Sequence, residues 1–236
     1  MTVSTDCFIS SVMRYRGEVT SARSEVPGPV SRMERRKAHT RQKLVNAARA
    51  LLADNTASTA SIQEITEAAD VGFGSFYNHF ASKAELFRAA VADVLEEVGQ
   101  LLDALSREVD DPAVAFARSV RLTVRIAVAR PETAQVLVRH GMAYIDADRG
   151  LAPRALRDIE AGVASGRFRV DDPRLALAVT AGALLAVLHV SLAHPERVDD
   201  SVCDEVAEQL LRMLGLPLGE ARELATTPLP DPPDPG

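Results

Sequence analysis

The sequence predicts an all-α protein of about nine helices in two parts. Three observations carry that expectation. Apolar residues recur at three- and four-residue steps through most of the chain. Helix starts are written as Ser-x-x-Glu boxes and as Pro at a first-turn position, where no amide partner is needed. Strand patterns are nearly absent, Arg167-Phe168-Arg169-Val170 reading only as a short extended link.

Residues 1–31 hold Ser, Thr, Arg and a Pro27-Gly28-Pro29 break without sustained periodicity, and read as a disordered extension. Translation from Met33, just before Glu34-Arg35-Arg36-Lys37, is an alternative that a peptide from residues 1–32 of the native protein would refute. A first helix runs from Arg35 to about Leu52, with Leu44, Ala47, Ala48, Leu51 and Leu52 on one face, and Asp54-Asn55 ends it. Ser61-Ile62-Gln63-Glu64 is a capping box opening a short helix. Asp70-Val71-Gly72 is a tight turn, and Phe73 to Phe80 forms a second short helix. Ser82-Lys83-Ala84-Glu85 is another box, opening a long helix to about Val109 with Leu86, Phe87, Ala90, Val94, Leu95, Val98, Leu101, Leu102 and Leu105 inward.

Asp111-Pro112, Arg130-Pro131 and Asp172-Pro173 start helices near 112–129, 132–146 and 173–193, and others lie near 151–164 and 200–214. Gly215-Leu216-Pro217 stops the last of them. Residues 227–236, rich in Pro and Asp, read as a disordered tail. Leu175–Ala193 is long enough for a membrane span. His189 and Ser191 interrupt it, however, and Ala178, Gly182 and Ala186 share one face, so the helix reads as soluble. Burial would come from the core on one side and a partner subunit on the other. No membrane partner is expected.

The chain has 236 residues, 47% hydrophobic and 25% charged, near globular averages, which excludes a disordered or fibrous protein. Cys7 and Cys203 are too few for a disulfide framework and lie in no metal-ligand spacing, so neither metal nor cofactor is expected. The first 30 residues hold no apolar run of 7–15, so the expected location is the cytoplasm. The net charge of −6 argues against a nucleic-acid binder only until the chain is divided. Residues 31–92 carry nine basic and six acidic groups, six of the basic ones between Arg32 and Lys43. Residues 93–236 carry 15 basic and 24 acidic groups, so the acidity belongs to the second part.

The segment SIQEITEAADVGFGSFYNHFASK, Ser61–Lys83, is two short helices joined by a three- to four-residue turn, a helix-turn-helix. In that motif the second helix enters the major groove. Helices this short gain little stability alone, so Ile62, Ile65, Val71, Phe76 and Phe80 pin them to the preceding helix. Gly72-Phe73-Gly74 is not a phosphate-cradling loop, since no strand precedes it. The order capping Ser, apolar face, Ala-Ala-x-Val, x-Gly-x-x-Tyr-x-His-Phe, Ser-Lys-x-x-Leu-Phe resembles the DNA-binding domain of TetR-family transcriptional regulators. The resemblance spans about residues 36–90, with Gly74, Tyr77, His79, Phe80, Lys83, Leu86 and Phe87 in register.

Between the extension over 1–31 and the tail over 227–236, that resemblance implies a DNA-binding domain over 32–82 and a helical effector-binding and dimerisation domain over 83–226. It implies a homodimeric repressor on near-palindromic double-stranded DNA, released by a small-molecule effector. Ser61 would touch a phosphate; Gly72, Phe73, Ser75 and Phe76 would lie at the groove; Gly74 would admit the DNA backbone closely. Tyr77, His79 and Lys83 would donate to phosphates, and Arg36 and Arg41 would track the backbone. Asp70 and Gly72 depart from the family pattern, which has Gly and a hydroxyl residue there. Apolar Phe73 points to contacts such as a thymine methyl. In the second part, Arg121, Arg125, His140, Tyr144 and His189 are the candidate effector contacts on otherwise apolar helices. The alternatives are an all-helical enzyme and a protein-interaction module. No Ser-His-Asp order, carboxylate pair or metal-ligand spacing supports catalysis.

Overall fold

Ten α-helices and two short 3-10 helices make up residues 31–106 and 109–229, the part described by the computed structural model. No strand occurs among those residues. Helix α1 (Arg32–Ala53) begins three residues before the predicted start. Ser31 Oγ accepts from the Glu34 amide at 3.1 Å and Glu34 accepts from the Ser31 amide at 2.8 Å, a capping box set in a charged stretch with no apolar period. Helix α2 (Ile62–Ala68) opens on the predicted box at Ser61. The turn after it places Asp70 at φ 51, a left-handed conformation that Asp tolerates. Lys43 Nζ holds that turn, 2.9 Å from Asp70 Oδ2.

Helix α3 is shorter than predicted, Phe73–Phe76 rather than 73–80. Gly72 caps it without a side-chain acceptor and Gly74 weakens it, so the chain continues in tighter turns. One of these is the 2.9 Å bond from the His79 amide to the Phe76 carbonyl. Helix α4 (Lys83–Ser106) follows. Ser82 Oγ accepts from the Glu85 amide, but the Glu85 carboxylate takes the Ala81 amide at 2.7 Å, so the predicted box is displaced by one residue.

Helices α5 (Pro112–Ala129), α7 (Leu151–Ala164), α8 (Pro173–Ala193) and α9 (Asp200–Met213) lie where expected. Helix α6 covers only Pro131–His140, and the chain then tightens into a 3-10 turn over Gly141–Tyr144 instead of running on to 146. The Tyr144 hydroxyl pins that turn to α4 by donating to the Arg88 carbonyl at 3.1 Å. Gly215, at φ 96, ends α9 as its position predicts. Beyond it a further helix, α10 (Leu218–Thr226), was not predicted. It buries Ala221 and Ala225 in the core shared by α5, α7 and α9.

Leu44, Ile65, Phe76, Phe80 and Leu86 lock α1–α4 together. A second cluster joins Phe116, Ile159, Phe168, Leu211 and Leu214. Helix α8 alone among the described residues is long and apolar enough to cross a membrane. Ala176, Leu177, Thr180 and Leu188 are buried in the domain, while Leu175 (63% exposed), Val179 (45%) and Val190 (39%) leave an apolar outer face.

Candidate DNA interface and inner cavity

Helices α1–α3 present one exposed surface. Phe73 is 53% and Tyr77 57% exposed, and their rings meet edge to face at 6.2 Å. Four residues apart, they share the outer side of α3 and the turn that follows. Gly72 and Gly74 are exposed beside them and Ser75 is half-buried. A Cβ at Gly74 would meet nothing within 4 Å, so the fold itself does not require glycine there. Arg36 is exposed on α1, and the Arg41 guanidinium stacks 5.0 Å from the Phe80 ring centroid. Burial, then the nearby charges of Lys37 and Arg41, push the His79 imidazole below its ordinary value of 6.5. It is therefore neutral at pH 7.

Three expectations change here. Phe76 does not face the groove: it is fully buried, its ring packed 6.1 Å from Phe80, because the small α1–α3 core needs an apolar plug. The Ser61 hydroxyl is committed to its own helix, accepting from the Glu64 amide at 3.2 Å and donating to the Glu64 carboxylate at 2.7 Å. Lys83 Nζ donates to the carbonyls of Ser58 at 2.9 Å and Ala60 at 2.8 Å. Both tie down the loop between α1 and α2.

The first three helices are coupled to the rest through α4. Arg49 of α1 lies 3.0 Å from Asp93 and 2.7 Å from Glu97, and Arg130 shares Glu97 at 3.1 Å. Arg139 of α6 donates to the Leu52 carbonyl at the end of α1 at 3.2 Å.

On the other side of α4 lies a cavity between α4, α5, α7 and α8, where Asp103, Arg154, Arg157 and Asp158 converge. Arg154 Nε donates to Asp103 at 2.7 Å, and its two terminal nitrogens both reach Glu96 at 3.0 Å. Arg157 Nε donates to Asp158 at 2.9 Å. The Arg154 hydrogen bonds draw Glu96 down to about 2, whereas burial raises Asp158 above its ordinary 3.8. Ser106 Oγ lines the same cavity, buried and without a hydrogen-bond partner among the described residues. A second cavity adjoins the first; the two share Thr123, Leu151, Ala155, Thr180 and Leu184 as their common wall. The first encloses about 80 Å³ and the second about 90 Å³, and both are partly open to solvent.

Residues 44–90 match the family described as bacterial regulatory proteins, tetR family, and residues 111–227 match the tetracyclin repressor-like C-terminal domain. The crystal structure of RolR in complex with resorcinol is 37% identical, with a TM-score of 0.68, covering 84% of this chain and 99% of RolR. The chain belongs to the TetR family. RolR without ligand is 36% identical over 81% of this chain and all of RolR, TM-score 0.66. The transcriptional regulator FadR from Bacillus subtilis, in complex with stearoyl-CoA, shares the fold at 15% identity, TM-score 0.55, over 72% of this chain and 97% of FadR. No curated protein matches the chain. The family is one of transcription regulators, not of enzymes.

For this TetR-family chain, the expected DNA contacts Arg36, Arg41, Gly72, Phe73, Gly74, Ser75, Tyr77 and His79 all belong to the first three helices and the turn after them. The expected effector contacts do not assemble. Only Tyr144 lines the adjoining cavities. Arg121, 5% exposed, is a structural clamp: it pairs with Asp204 at 2.6 Å and donates to the Thr227 carbonyl at 2.5 Å, drawing in a residue read from sequence as tail. Arg125 pairs with Asp200 at 2.9 Å beside Cys203, whose thiol burial pushes up to about 11. His140 is half-buried at the end of α6, and His189 is exposed on the outer face of α8. Sequence reasoning missed Asp103, Arg154, Arg157 and Asp158. Their one visible sign was the Arg-x-x-Arg-Asp spacing inside 151–164.

Proposed function

We propose that the chain is a cytoplasmic, homodimeric repressor that a small, neutral, hydroxylated aromatic molecule releases from its operator. The observation that carries this reading is the placement of Glu96 and Glu97 on successive positions of α4. Glu96 holds Arg154 at the cavity, and Glu97 holds Arg49 of the DNA-binding domain. A ligand that competes for Asp103 or Arg154 thereby acts on the helix that positions the DNA-binding face. Its leverage equals its differential affinity for the two states.

The cavity's chemistry supports the ligand class. The lining holds two carboxylates (Asp103, Asp158) and two guanidiniums (Arg154, Arg157), and Glu96 behind Arg154 tips the balance negative, so the site accepts hydroxyl donors and disfavours an added anion. Phe116 supplies an aromatic wall. RolR, the relative crystallised with resorcinol, points the same way.

Helix α8's apolar outer face supports a dimer formed by α8 and α9. Two recognition helices would then stand about 34–36 Å apart, one turn of DNA. In this reading Phe73, Ser75 and Tyr77 meet the major groove, Gly74 lets the DNA backbone close in, and Arg36, Arg41 and His79 hold phosphates. Ser61 and Lys83 position that face. Footprinting on DNA flanking the chain's own gene tests it. A near-palindromic protected site is expected. A folded dimer without sequence preference at moderate salt overturns the reading.

A further inference from the structure

The two adjoining cavities differ in chemistry. The first concentrates charge. The second is built from Leu95, Leu137, Ile145, Leu185, Leu188 and similar side chains, with three hydroxyls only: Thr123, Tyr144 and Thr180. Each of those hydroxyls already donates to a backbone carbonyl. Thr123 gives its proton to Ser119 at 2.7 Å, Thr180 to Ala176 at 2.8 Å and Tyr144 to Arg88 at 3.1 Å. A ligand acceptor placed in this second chamber would find no side-chain donor, and a ligand hydroxyl would find only three hydroxyl oxygens in an otherwise apolar wall, so polar groups gain little there. An alkyl group loses nothing there and gains from leaving water.

The dividing wall carries small side chains at Thr123, Ala155 and Thr180, each lining both cavities. Leu151 and Leu184 complete it and can change rotamer. One molecule can therefore place a hydroxylated ring among Asp103, Arg157 and Asp158 and send a chain past Ala155 towards Ala152 and Ala181, which line the second chamber alone.

We propose that the ligand is amphiphilic: a hydroxylated aromatic ring bearing an alkyl chain, with the ring in the charged chamber and the chain in the apolar one. This rests on the phenolic reading above and adds the tail to it. Catalysis is not involved; the two chambers act as one binding site with separate tests for head and tail.

Calorimetric titration of the intact protein with resorcinol and with 5-methyl-, 5-propyl- and 5-pentylresorcinol tests both. Each methylene that enters the second chamber should tighten binding about fourfold. Ala152→Leu on α7 and Ala181→Leu on α8 fill that chamber from opposite sides. Both should bind resorcinol as the parent does and lose the chain-length gain. Two independent positions guard against one variant failing to fold, which circular dichroism checks. Resorcinol binding with affinity flat along the series, or chain-length gains that persist in both variants, overturns the two-chamber proposal alone. Failure of resorcinol and every homologue to bind overturns the phenolic reading and the proposal with it.

Discussion

Replacing Gly74 by Ala should move stability and DNA affinity in opposite directions. The added Cβ meets nothing within 4 Å, and Gly74 sits at non-positive φ inside α3. Alanine is favoured over glycine in a helix interior by about 1 kcal/mol, and roughly half of that is expected in a helix of a single turn. For a chain of this size the gain raises Tm by about 1–2 °C. The same methyl group projects from the face assigned to DNA. If it displaces one charge-assisted phosphate contact per protomer, worth about 1.5–3 kcal/mol, operator affinity falls at least about tenfold. Gly219→Ala is the control, since its Cβ also meets nothing but lies on α10. Differential scanning fluorimetry and fluorescence anisotropy on an operator duplex read the two effects. Unchanged DNA affinity in Gly74→Ala, with the protein folded, would refute the assignment of this face.

Other substitutions separate core from contact. Phe76→Ala should destabilise by about 3–5 kcal/mol in urea titration, because it empties the fully buried centre of the first domain. Phe73→Ala should stay within about 0.5 kcal/mol of the parent yet weaken operator binding. The neutral His79 imidazole gains a proton when a phosphate raises its pKa, so operator affinity should rise as pH falls from about 7.5 to 6. His79→Gln should flatten that profile. Glu96, depressed from 4.5 to about 2, contributes stability above pH 4.5 that is lost as pH falls through 2. The urea midpoints of the parent and Glu96→Gln should therefore converge over that range.

Local signals made most of the fold legible. The Ser61 box and the Pro112, Pro131 and Pro173 starts each lie within one turn of the helix they open. Where tertiary contacts decided the outcome, the sequence was silent. The turn at Gly141–Tyr144 depends on a bond from Tyr144 to a residue 56 positions away. Helix α10 buries Ala221 and Ala225, but its apolar period over Leu218, Ala221, Leu224 and Ala225 spans only nine residues behind the Gly215–Pro217 stop and before a Pro-rich end. The DNA face was readable because its residues fall within one short motif; Phe76, read both as a core pin and, by resemblance, as a groove residue, takes the core side. The cavity was not readable. Arg154 meets Asp103 and Glu96 across separations of 51 and 58 residues, and such charges on an amphipathic helix look like its solvent face.

A ligand in the charged cavity should control the DNA-binding face through α4. Anisotropy of a labelled operator duplex, titrated with the protein at fixed salt with and without saturating resorcinol, tests it most directly. Resorcinol should raise the Kd for the operator at least tenfold in the parent and little in Asp158→Asn. An operator Kd unchanged by resorcinol in a parent protein that binds resorcinol would contradict it.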